Sequence, residues 1–218
     1  MKKIALTIKT LNNQGVLENI TKKISSMRLN IIYIHLYLEE NNLGSLNLEL
    51  ENVENVDNLV KELKSLKSIK SIEIHESLID IYGKRIIIIG GGAQVSQVAT
   101  GAIIEADRHN IRGERISVDT IPLIGENEIS EAIKSISRLP RVSVLILAGS
   151  MMGGKITDAV KNIKKEHEIT VISLNMIGTA SKEADIIITD PTQAGVMAVM
   201  SASTTGIFEI KRLKNKKF

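Results

Sequence analysis

The 218-residue chain contains no cysteine and no tryptophan, and only three tyrosines and two phenylalanines. Without cysteine it has no disulfide, no thiolate nucleophile and no cysteine-ligated zinc or iron–sulfur cluster. An aromatic content of 2% leaves few rings for nucleobases to stack on, so we expect no nucleic-acid partner. The four histidines are isolated from one another in the sequence, so we predict no metal site.

Long apolar runs are also missing, and no segment is long enough to span a bilayer. The basic and then apolar start resembles a signal peptide, but Thr7 and Lys9 interrupt it and no small-residue cleavage site follows. We therefore interpret the start as a strand and expect a cytoplasmic protein with no membrane partner. The length and the apolar share of 43% fit one large or two small globular domains.

Residues 1–80 show strand and helix patterns in the order βαββαβ. Ile4, Leu6 and Ile8 alternate with their neighbours at the period of a strand, and three further segments behave in the same way. Apolar residues at helical spacing separate the first strand from the second and the third from the fourth. This order predicts a ferredoxin-like domain in which two helices cover one face of a four-stranded sheet.

The other face of that sheet is predicted to be open. Tyr33, His35 and Tyr37 alternate along the second strand and point to this open face. An uncovered sheet that carries amphipathic side chains is a natural pairing surface. We therefore expect a homodimer or a higher homo-oligomer that forms through this sheet.

The segment Leu11–Leu17, together with Ile20 and Leu29–Ile31, resembles the signature of the ACT domain family. ACT domains are regulatory modules that pair through their sheets and often bind an amino acid between the loop after the first strand and a neighbouring domain. The resemblance implies the following ligand-binding residues: Asn12, Asn13, Gln14, Gly15, Val16, Leu17 and Asn30. Many amino-acid-binding members have an Asp early in the loop, where this chain has Asn12 and Asn13. The domain therefore either binds an amino acid or serves for pairing alone.

Residues 84–218 form a second domain with a different pattern. Strand and helix patterns alternate five times, and the first strand, Arg85–Ile89, is apolar throughout, as a strand buried on both faces must be. The second strand is predicted to end at Asp119, and the last helix to cover Thr192–Ile210. This alternation predicts a Rossmann-like, doubly wound parallel sheet of five strands, of the flavodoxin or sugar-isomerase kind.

Small and polar residues gather where these strands end. Ligands of doubly wound sheets bind beyond the carboxyl ends of the strands, and three consecutive glycines exceed what a turn requires. We therefore predict a site for an anion or a nucleotide. Its residues are Gly90, Gly91, Gly92, Gln94, Ser96, Asp119, Ser150, Gly153, Gly154, Lys155 and Asn175.

Two local patterns suggest different ligands for this site. Gly90–Val95 has the form G-x-G-x-x-V after a strand, which resembles a dinucleotide fingerprint with Val in the place of the third Gly. In that interpretation Asp119 supplies the ribose-binding acid, Ser96 reaches a phosphate, and the cofactor is a nucleotide or NAD(P). Gly149–Ile156 approaches a P-loop, but Ile156 replaces the magnesium-binding Ser or Thr, which argues against nucleotide hydrolysis. Lys155 still offers a cation to an anionic ligand.

A third pattern is a resemblance to sugar-isomerase-type domains, which bind phosphosugars through hydroxyls and helix amino termini. It rests on Val144–Val160, Val171–Asn175 and Ala184–Ile188. The whole chain resembles archaeal ACT-domain proteins of unknown function. Because no pair of carboxylates or nucleophile–base pair stands out, we favour a ligand-responsive regulatory protein over an enzyme. The alternative is an ACT-regulated enzyme of phosphosugar or nucleotide metabolism.

Overall fold

The computed structural model describes residues 3–39 and 42–206. The chain divides into two compact units, Met1–Ile81 and Tyr82–Phe218. The helix α3 (Leu78–Tyr82) contains the division. Among the described helices, none combines the length and the apolar composition needed to cross a membrane.

The first unit is a four-stranded antiparallel sheet with two helices. Its elements are β1 (Ile4–Leu11), α1 (Val16–Ser26), β2 (Asn30–Glu39), β3 (Leu43–Glu51), α2 (Val56–Lys64) and β4 (Ile69–His75). The strand order is β2-β3-β1-β4, so β2 and β4 are the edges. This arrangement confirms the predicted ferredoxin-like fold.

The core of this unit is aliphatic and lies between the sheet and the two helices. Ile4, Leu6 and Ile8 are buried, and their neighbours along β1 are half-exposed, as period-two patterning requires. Ile20 and Ile24 of α1 are buried against them. Aliphatic side chains thus fill this core in a chain that has few aromatic residues.

The opposite face of the first sheet is polar. Thr7 donates to Asn47 at 2.8 Å, and His75 lies 3.1 Å from the Thr7 hydroxyl, so hydrogen bonds cross three strands. The rings of His35 and Tyr37 are 5.5 Å apart on β2. This is the face on which the sequence placed the aromatic side chains.

The second unit is a parallel sheet with helices on both faces. Its elements are β5 (Lys84–Gly90), α4 (Gly92–Ile111), β6 (Ile116–Pro122), α5 (Glu126–Ser135), β7 (Val142–Ala148), α6 (Lys155–Glu166), β8 (Thr170–Leu174), β9 (Ile186–Ile188) and α7 (Pro191–Ala202). The order is β6-β5-β7-β8-β9, the 2-1-3-4-5 order of doubly wound sheets. The predicted fold class is confirmed.

Two apolar clusters lie on the two faces of this sheet. The helices α4 and α7 cover one face, and α5 and α6 cover the other. Gly101 and Gly195 let α4 and α7 approach closely, because a Cβ on Gly101 would lie 2.0 Å from the Thr192 carbonyl oxygen. A Cβ on Gly195 would lie 2.1 Å from the Val98 carbonyl oxygen. Close helix packing here therefore depends on these two glycines.

Two predicted boundaries are wrong. The strand β6 continues past Asp119 to Pro122, because its residues pair with β5 as far as Gly90. The helix α7 begins where Asp190 accepts a hydrogen bond from the Gln193 N–H, and it ends at Ala202 because Ser203 is extended. The last predicted residues of that helix, 207–210, lie outside the described residues.

Candidate ligand-binding sites

A cavity of about 310 Å³ opens in the first unit where the loop after β1 meets β2 and β3. Its lining combines a few polar side chains with many aliphatic ones. The polar lining residues are Thr10, Asn12, Asn13 and Glu18. The aliphatic lining residues are Leu11, Val16, Leu17, Ile20, Leu36, Leu38 and Leu46, and two glycines, Gly15 and Gly44, complete the wall.

The structure brings five of the seven predicted ACT-type residues to this cavity: Asn12, Asn13, Gly15, Val16 and Leu17. Gln14 is exposed and is not in the lining. Asn30 begins β2, where its amide donates to Glu51 at 2.6 Å. Of β2, Leu36 and Leu38 line the cavity, and Asn30 lies roughly 20 Å from Leu36 along the strand. Within one copy of the chain, Asn30 does not face this site.

The amino terminus of α1 points its free backbone donors at the cavity wall. Gly15, at φ 82°, turns the chain into the helix and offers no side-chain cap. Among the described residues, the N–H groups of Leu17 and Glu18 have no hydrogen-bond partner. Unpaired N–H groups at a helix amino terminus favour an anion such as a carboxylate.

Glu18 is a lining residue that the sequence analysis missed. It is the charged residue of the cavity wall, and it follows directly after the resemblance segment that ends at Leu17. The signal for it was present, because an acidic residue in the first turn of a predicted helix faces the turn before it. An acidic residue at this position is equally expected where it only stabilises the amino terminus of a helix.

In the second unit, the strand order reverses between β6 and β7, on either side of β5. The crevice at this reversal lies beyond the carboxyl ends of β5 and β7, which is where ligands of such sheets bind. Gly90 ends β5 and Ala148 ends β7. The Gly91 N–H donates to the Ala148 carbonyl at 2.9 Å, so the glycine run starts at the floor of the crevice.

The three consecutive glycines have different roles. Gly90 has φ 147°, and a Cβ on it would lie 1.9 Å from the Ala148 carbonyl oxygen, so close strand packing requires glycine there. A Cβ on Gly92 would meet only Pro122 at 4.0 Å, and one on Gly91 would meet the flexible Gln94 side chain at 2.9 Å. Packing among the described residues therefore explains Gly90 but not Gly91 or Gly92.

The long helix α4 begins at this point without a cap. Gly91 is its N-cap and makes no side-chain hydrogen bond, and the first turn carries no acidic residue. Across residues 3–39 and 42–206, the N–H groups of Gly92, Ala93 and Gln94 have no partner. The Ser96 hydroxyl is exposed and donates to the Ala93 carbonyl at 2.9 Å. The start of α4 is thus a set of free donors beside open space.

Asp119 does not belong to this crevice. It lies within β6 opposite Ile87, three residues short of the strand end, and Arg85 donates to its carboxylate at 2.6 Å. The predicted role of Asp119 as the ribose-binding acid of a dinucleotide site therefore has no support in the geometry, because its carboxylate is already paired within the sheet.

The P-loop-like segment is occupied by the chain itself. Glu126, the first residue of α5, accepts a hydrogen bond from the Lys155 N–H at 2.5 Å, so a carboxylate sits at the amino terminus of α6. The Lys155 ammonium donates to Asn127 at 2.7 Å. A Cβ on Gly154 would lie 2.1 Å from the Glu126 carboxylate, and one on Gly153 would lie 3.3 Å from the Thr179 hydroxyl. The φ of 54° explains Gly154, because glycine adopts such a backbone conformation without strain. The Glu126 carboxylate, rather than a phosphate, lies at the amino terminus of α6.

The remaining predicted residues lie at the exposed carboxyl edge of the sheet. Ser150 and Asn175 are exposed after β7 and β8. Three large apolar side chains stand beside them: Ile124 (85% exposed), Met151 (73%) and Ile177 (74%). Met151 and Ile177 form a parallel bridge, and the Leu123 N–H next to Ile124 donates to the Gly90 carbonyl. The crevice therefore has an apolar rim, defined here as Ile124, Met151 and Ile177.

At the opposite, amino edge of this sheet, Glu114 is enclosed by hydrogen bonds. Its carboxylate accepts from the Ser203 hydroxyl at 2.7 Å, from the Thr204 N–H at 2.6 Å and from the Thr205 N–H at 2.8 Å. Nδ1 of the buried His109 lies 2.9 Å away. Burial by itself raises the pKa of Glu114, but the bonds from Thr204, Ser203 and Thr205 together lower that pKa to about 2. We call this arrangement the Glu114 clasp.

Comparisons with known proteins agree with the two-unit architecture. A family model for the ACT domain matches residues 3–73, and a model described as a domain of unknown function, DUF5612, matches residues 75–217. An uncharacterised protein of Methanocaldococcus jannaschii is 49% identical over 214 residues, which is 98% of each chain. An uncharacterised protein of Archaeoglobus fulgidus is 57% identical over 145 residues, which is 66% of each chain.

Solved structures also resemble the chain in part. The crystal structure of the ACT domain from GTP pyrophosphokinase of Chlorobium tepidum is 24% identical, with a TM-score of 0.30. The match covers 34% of this chain and 96% of that one. The two family models and the relative from Methanocaldococcus jannaschii confirm the sequence resemblance to archaeal ACT-domain proteins of unknown function.

Proposed function

Because the chain belongs to the DUF5612 family and begins with an ACT domain, we propose that it is a ligand-responsive regulatory protein. In this proposal the ACT domain binds an amino acid in the 310 Å³ cavity. The parallel-sheet domain binds a phosphorylated or nucleotide-like ligand at the start of α4. The free N–H groups at Gly92–Gln94, beside two glycines that packing does not require, carry the proposal for the second domain.

An anion suits the start of α4 for electrostatic reasons. A 20-residue helix presents a partial positive charge at its amino terminus, and here no acidic side chain of the first turn neutralises it. The missing Cβ atoms of Gly91 and Gly92 let an anion approach the N–H groups directly. The Lys155–Asn127 contact is exposed, so this ammonium is available to rotate toward a second anionic group.

The apolar rim favours a nucleotide over a bare phosphosugar. Ile124 follows β6 and Met151 follows β7. Because β5 lies between these two strands, the strands are about 10 Å apart. A flat nucleobase fits between two aliphatic walls at this spacing, whereas a sugar phosphate would leave three large apolar side chains in water. Aliphatic walls hold such a ring in a chain that has almost no aromatic residues to stack on it.

For the ACT domain, we propose that two or more copies pair through the sheet. The edge strand β2 pairs with β3 on one side only, and it carries exposed apolar side chains: Ile34 at 45%, Leu36 at 47% and Leu38 at 64%. An exposed apolar edge is a template for another strand. A second β2 strand is the simplest occupant, because it would cover the same side chains on both copies.

A thermal-shift screen of the full chain tests the proposal with amino acids, nucleotides, NAD(P) and sugar phosphates. We expect nucleotides to raise the transition temperature of the wild type. Gly92→Asp places a carboxylate at the free N–H groups and should abolish that shift, while Thr100→Asp, two turns further along the exposed face of α4, should leave it intact. If no phosphorylated compound stabilises the chain, the proposal for the second domain is wrong.

Whether the bound compound is consumed distinguishes a regulatory protein from an enzyme. A regulatory protein returns every bound compound unchanged, and only its assembly or affinity responds to the amino acid. An ACT-regulated enzyme of phosphosugar or nucleotide metabolism would consume the compound at a rate that the amino acid changes. Chromatography of each stabilising compound after prolonged incubation with the chain distinguishes the two.

A further inference from the structure

We propose that residues 207–218 of the chain pack against an apolar stripe on the outer face of α4, defined here as Ile103, Ile104 and Ile111. These twelve residues lie outside the described part of the chain. The contact forms whether or not either domain holds a ligand, so it goes beyond the proposed function. The exposure of the stripe, the point at which the segment starts, its length and its composition all support it.

The stripe is an apolar surface on the side of α4 that faces away from the sheet. Ile103 and Ile104 are each 51% exposed, and Ile111 is 87% exposed. Ile104 and Ile111 are seven residues apart, which is about two helical turns, so they lie on one face and Ile103 borders it. The opposite side of α4 packs on the sheet through Val98 and Ala102. Single exposed apolar side chains are common, but three on one helix face form a surface that a further segment can cover.

The segment starts beside the carboxyl-terminal end of this stripe. Glu114 follows Ile111 by three residues, and its carboxylate accepts hydrogen bonds from the Ser203 hydroxyl and the Thr205 N–H. The Gly206 N–H in turn donates to the Ser203 hydroxyl at 2.7 Å. The Glu114 clasp therefore fixes the point from which residue 207 continues, close to the last turn of α4.

The segment is long enough to cover the whole stripe. The distance along the helix from Ile111 back to Ile103 is roughly 12 Å. Twelve residues span up to about 40 Å when extended and about 18 Å as a helix. In either conformation, residues 207–218 reach from the Glu114 clasp past Ile103.

The composition of the segment suits an apolar surface that borders water. Its apolar residues include both phenylalanines of the chain: Ile207, Phe208, Ile210, Leu213 and Phe218. Its basic residues are Lys211, Arg212, Lys214, Lys216 and Lys217. Burial of apolar side chains against the stripe removes both surfaces from water, while the charged ends of the basic side chains stay hydrated.

The chain's own segment is favoured over a second copy as the occupant of the stripe. A segment tethered at Gly206 acts at an effective concentration on the order of millimolar, whereas a second copy acts only at the concentration of the protein. Asp107 is exposed between Ile104 and Ile111, and the carboxyl-terminal end of α4 carries a partial negative charge. The basic residues of the segment complement both of these negative charges.

Fluorescence of full-length Phe208→Trp tests this contact, because the chain contains no other tryptophan. We expect the emission of the folded variant to lie at a shorter wavelength than its emission in urea, and acrylamide to quench it several-fold less. Adding Ile104→Ser and Ile111→Ser together should remove both differences, since the introduced ring loses its apolar partner. Ser and Ile have similar helix propensities, so α4 itself should stay intact.

The matched control is the pair Ile124→Ser and Ile177→Ser, which removes two isoleucines that are 85% and 74% exposed at the carboxyl edge of the sheet. This pair should leave the emission unchanged. Circular dichroism of each variant checks that the exposed substitutions leave the fold intact.

Three results would overturn the proposal. Emission and quenching of Phe208→Trp that match those in urea would show that the segment stays in water. An equal response to the two serine pairs would show that the segment does not contact α4. Loss of the protection on dilution, together with a fall in mass measured by analytical ultracentrifugation, would show that a second copy supplies the contact.

Discussion

The two edges of the parallel sheet are built in opposite ways. At the amino edge, polar groups are paired: Glu114 is clasped by Ser203–Thr205, and Lys84 donates to the Ala202 carbonyl at 2.7 Å. Arg85 pairs with Asp119 just inside this edge. At the carboxyl edge, the N–H groups at the start of α4 are unpaired and the apolar rim is exposed.

The difference separates an edge that serves the fold from the edge at which we propose that a ligand binds. Polar pairing beyond the end of α7 holds α7 and β5 together and stabilises the fold. Water binds exposed donors that have no partner among the described residues, and exposed apolar side chains add no contact to the fold, so both kinds of group are open to a ligand. Substitutions at each edge test this difference.

The largest effect is expected at Gly90, a residue of the carboxyl edge that serves the fold. Gly90→Ala forces a Cβ toward the Ala148 carbonyl at a φ of 147°, so we expect a loss of more than about 3 kcal/mol in unfolding free energy. Urea denaturation of the full chain measures it. A loss below 1 kcal/mol would show that β5 and β7 adjust easily at the crevice.

The Glu114 clasp comes next. Glu114→Gln replaces an acceptor carboxylate by an amide that cannot accept from Thr204 and Thr205 with the same strength, so we expect a loss of about 3 kcal/mol. Nucleotide binding at the carboxyl edge should not change. The exposed Glu131→Gln in α5, which removes only a surface pair with Lys134, should leave the unfolding free energy almost unchanged.

Acid should weaken the same clasp. The pKa of Glu114 is about 2 in the folded chain against 4.5 without the fold, so the unfolded chain takes up the proton first. The stabilisation is complete above pH 4.5 and is lost as the pH falls toward 2, amounting to a loss of about 2 kcal/mol at pH 3. Unfolding free energies at pH 6 and pH 3 should therefore differ more in the wild type than in Glu114→Gln.

The smallest effect on stability is expected at Gly92. Gly92→Ala adds a methyl group in open space at a helical position, so stability should change by less than about 1 kcal/mol, in the favourable direction. Binding of a phosphorylated ligand should nevertheless weaken, because the methyl group stands before the free N–H groups. A large loss of stability here would remove the contrast with Gly90.

The sequence predicted both folds, and five of the residues that it proposed for a site in the first domain line one cavity. Period-two and helical patterns are strong where strands and helices are long, and Asn12–Leu17 comprises a loop and the start of the helix after it, which are local features. The boundary after Asp119 was wrong because Asp119 looked like the end of a strand, while its carboxylate is neutralised by Arg85 from the neighbouring strand. Such pairs across strands are invisible in one sequence.

The second site could be predicted only in part for the same reason. Glycines look alike in a sequence, yet Gly90 is explained by a carbonyl of β7 and Gly154 by its φ of 54°, whereas Gly92 has open space around it. Glu18 and Glu114 were also missed. Glu18 lines a cavity whose wall is contributed by several strands, and the hydrogen-bond partners of Glu114 are 89 to 91 residues away in the sequence.

The helix α4 joins the two edges. Twenty residues make a rod of about 30 Å, with the free donors at Gly92 on one end and His109 of the Glu114 clasp near the other. Its contact with α7 at Gly101 lies near the middle of its length. One continuous helix therefore keeps the proposed binding edge and the Glu114 clasp at a fixed distance from each other.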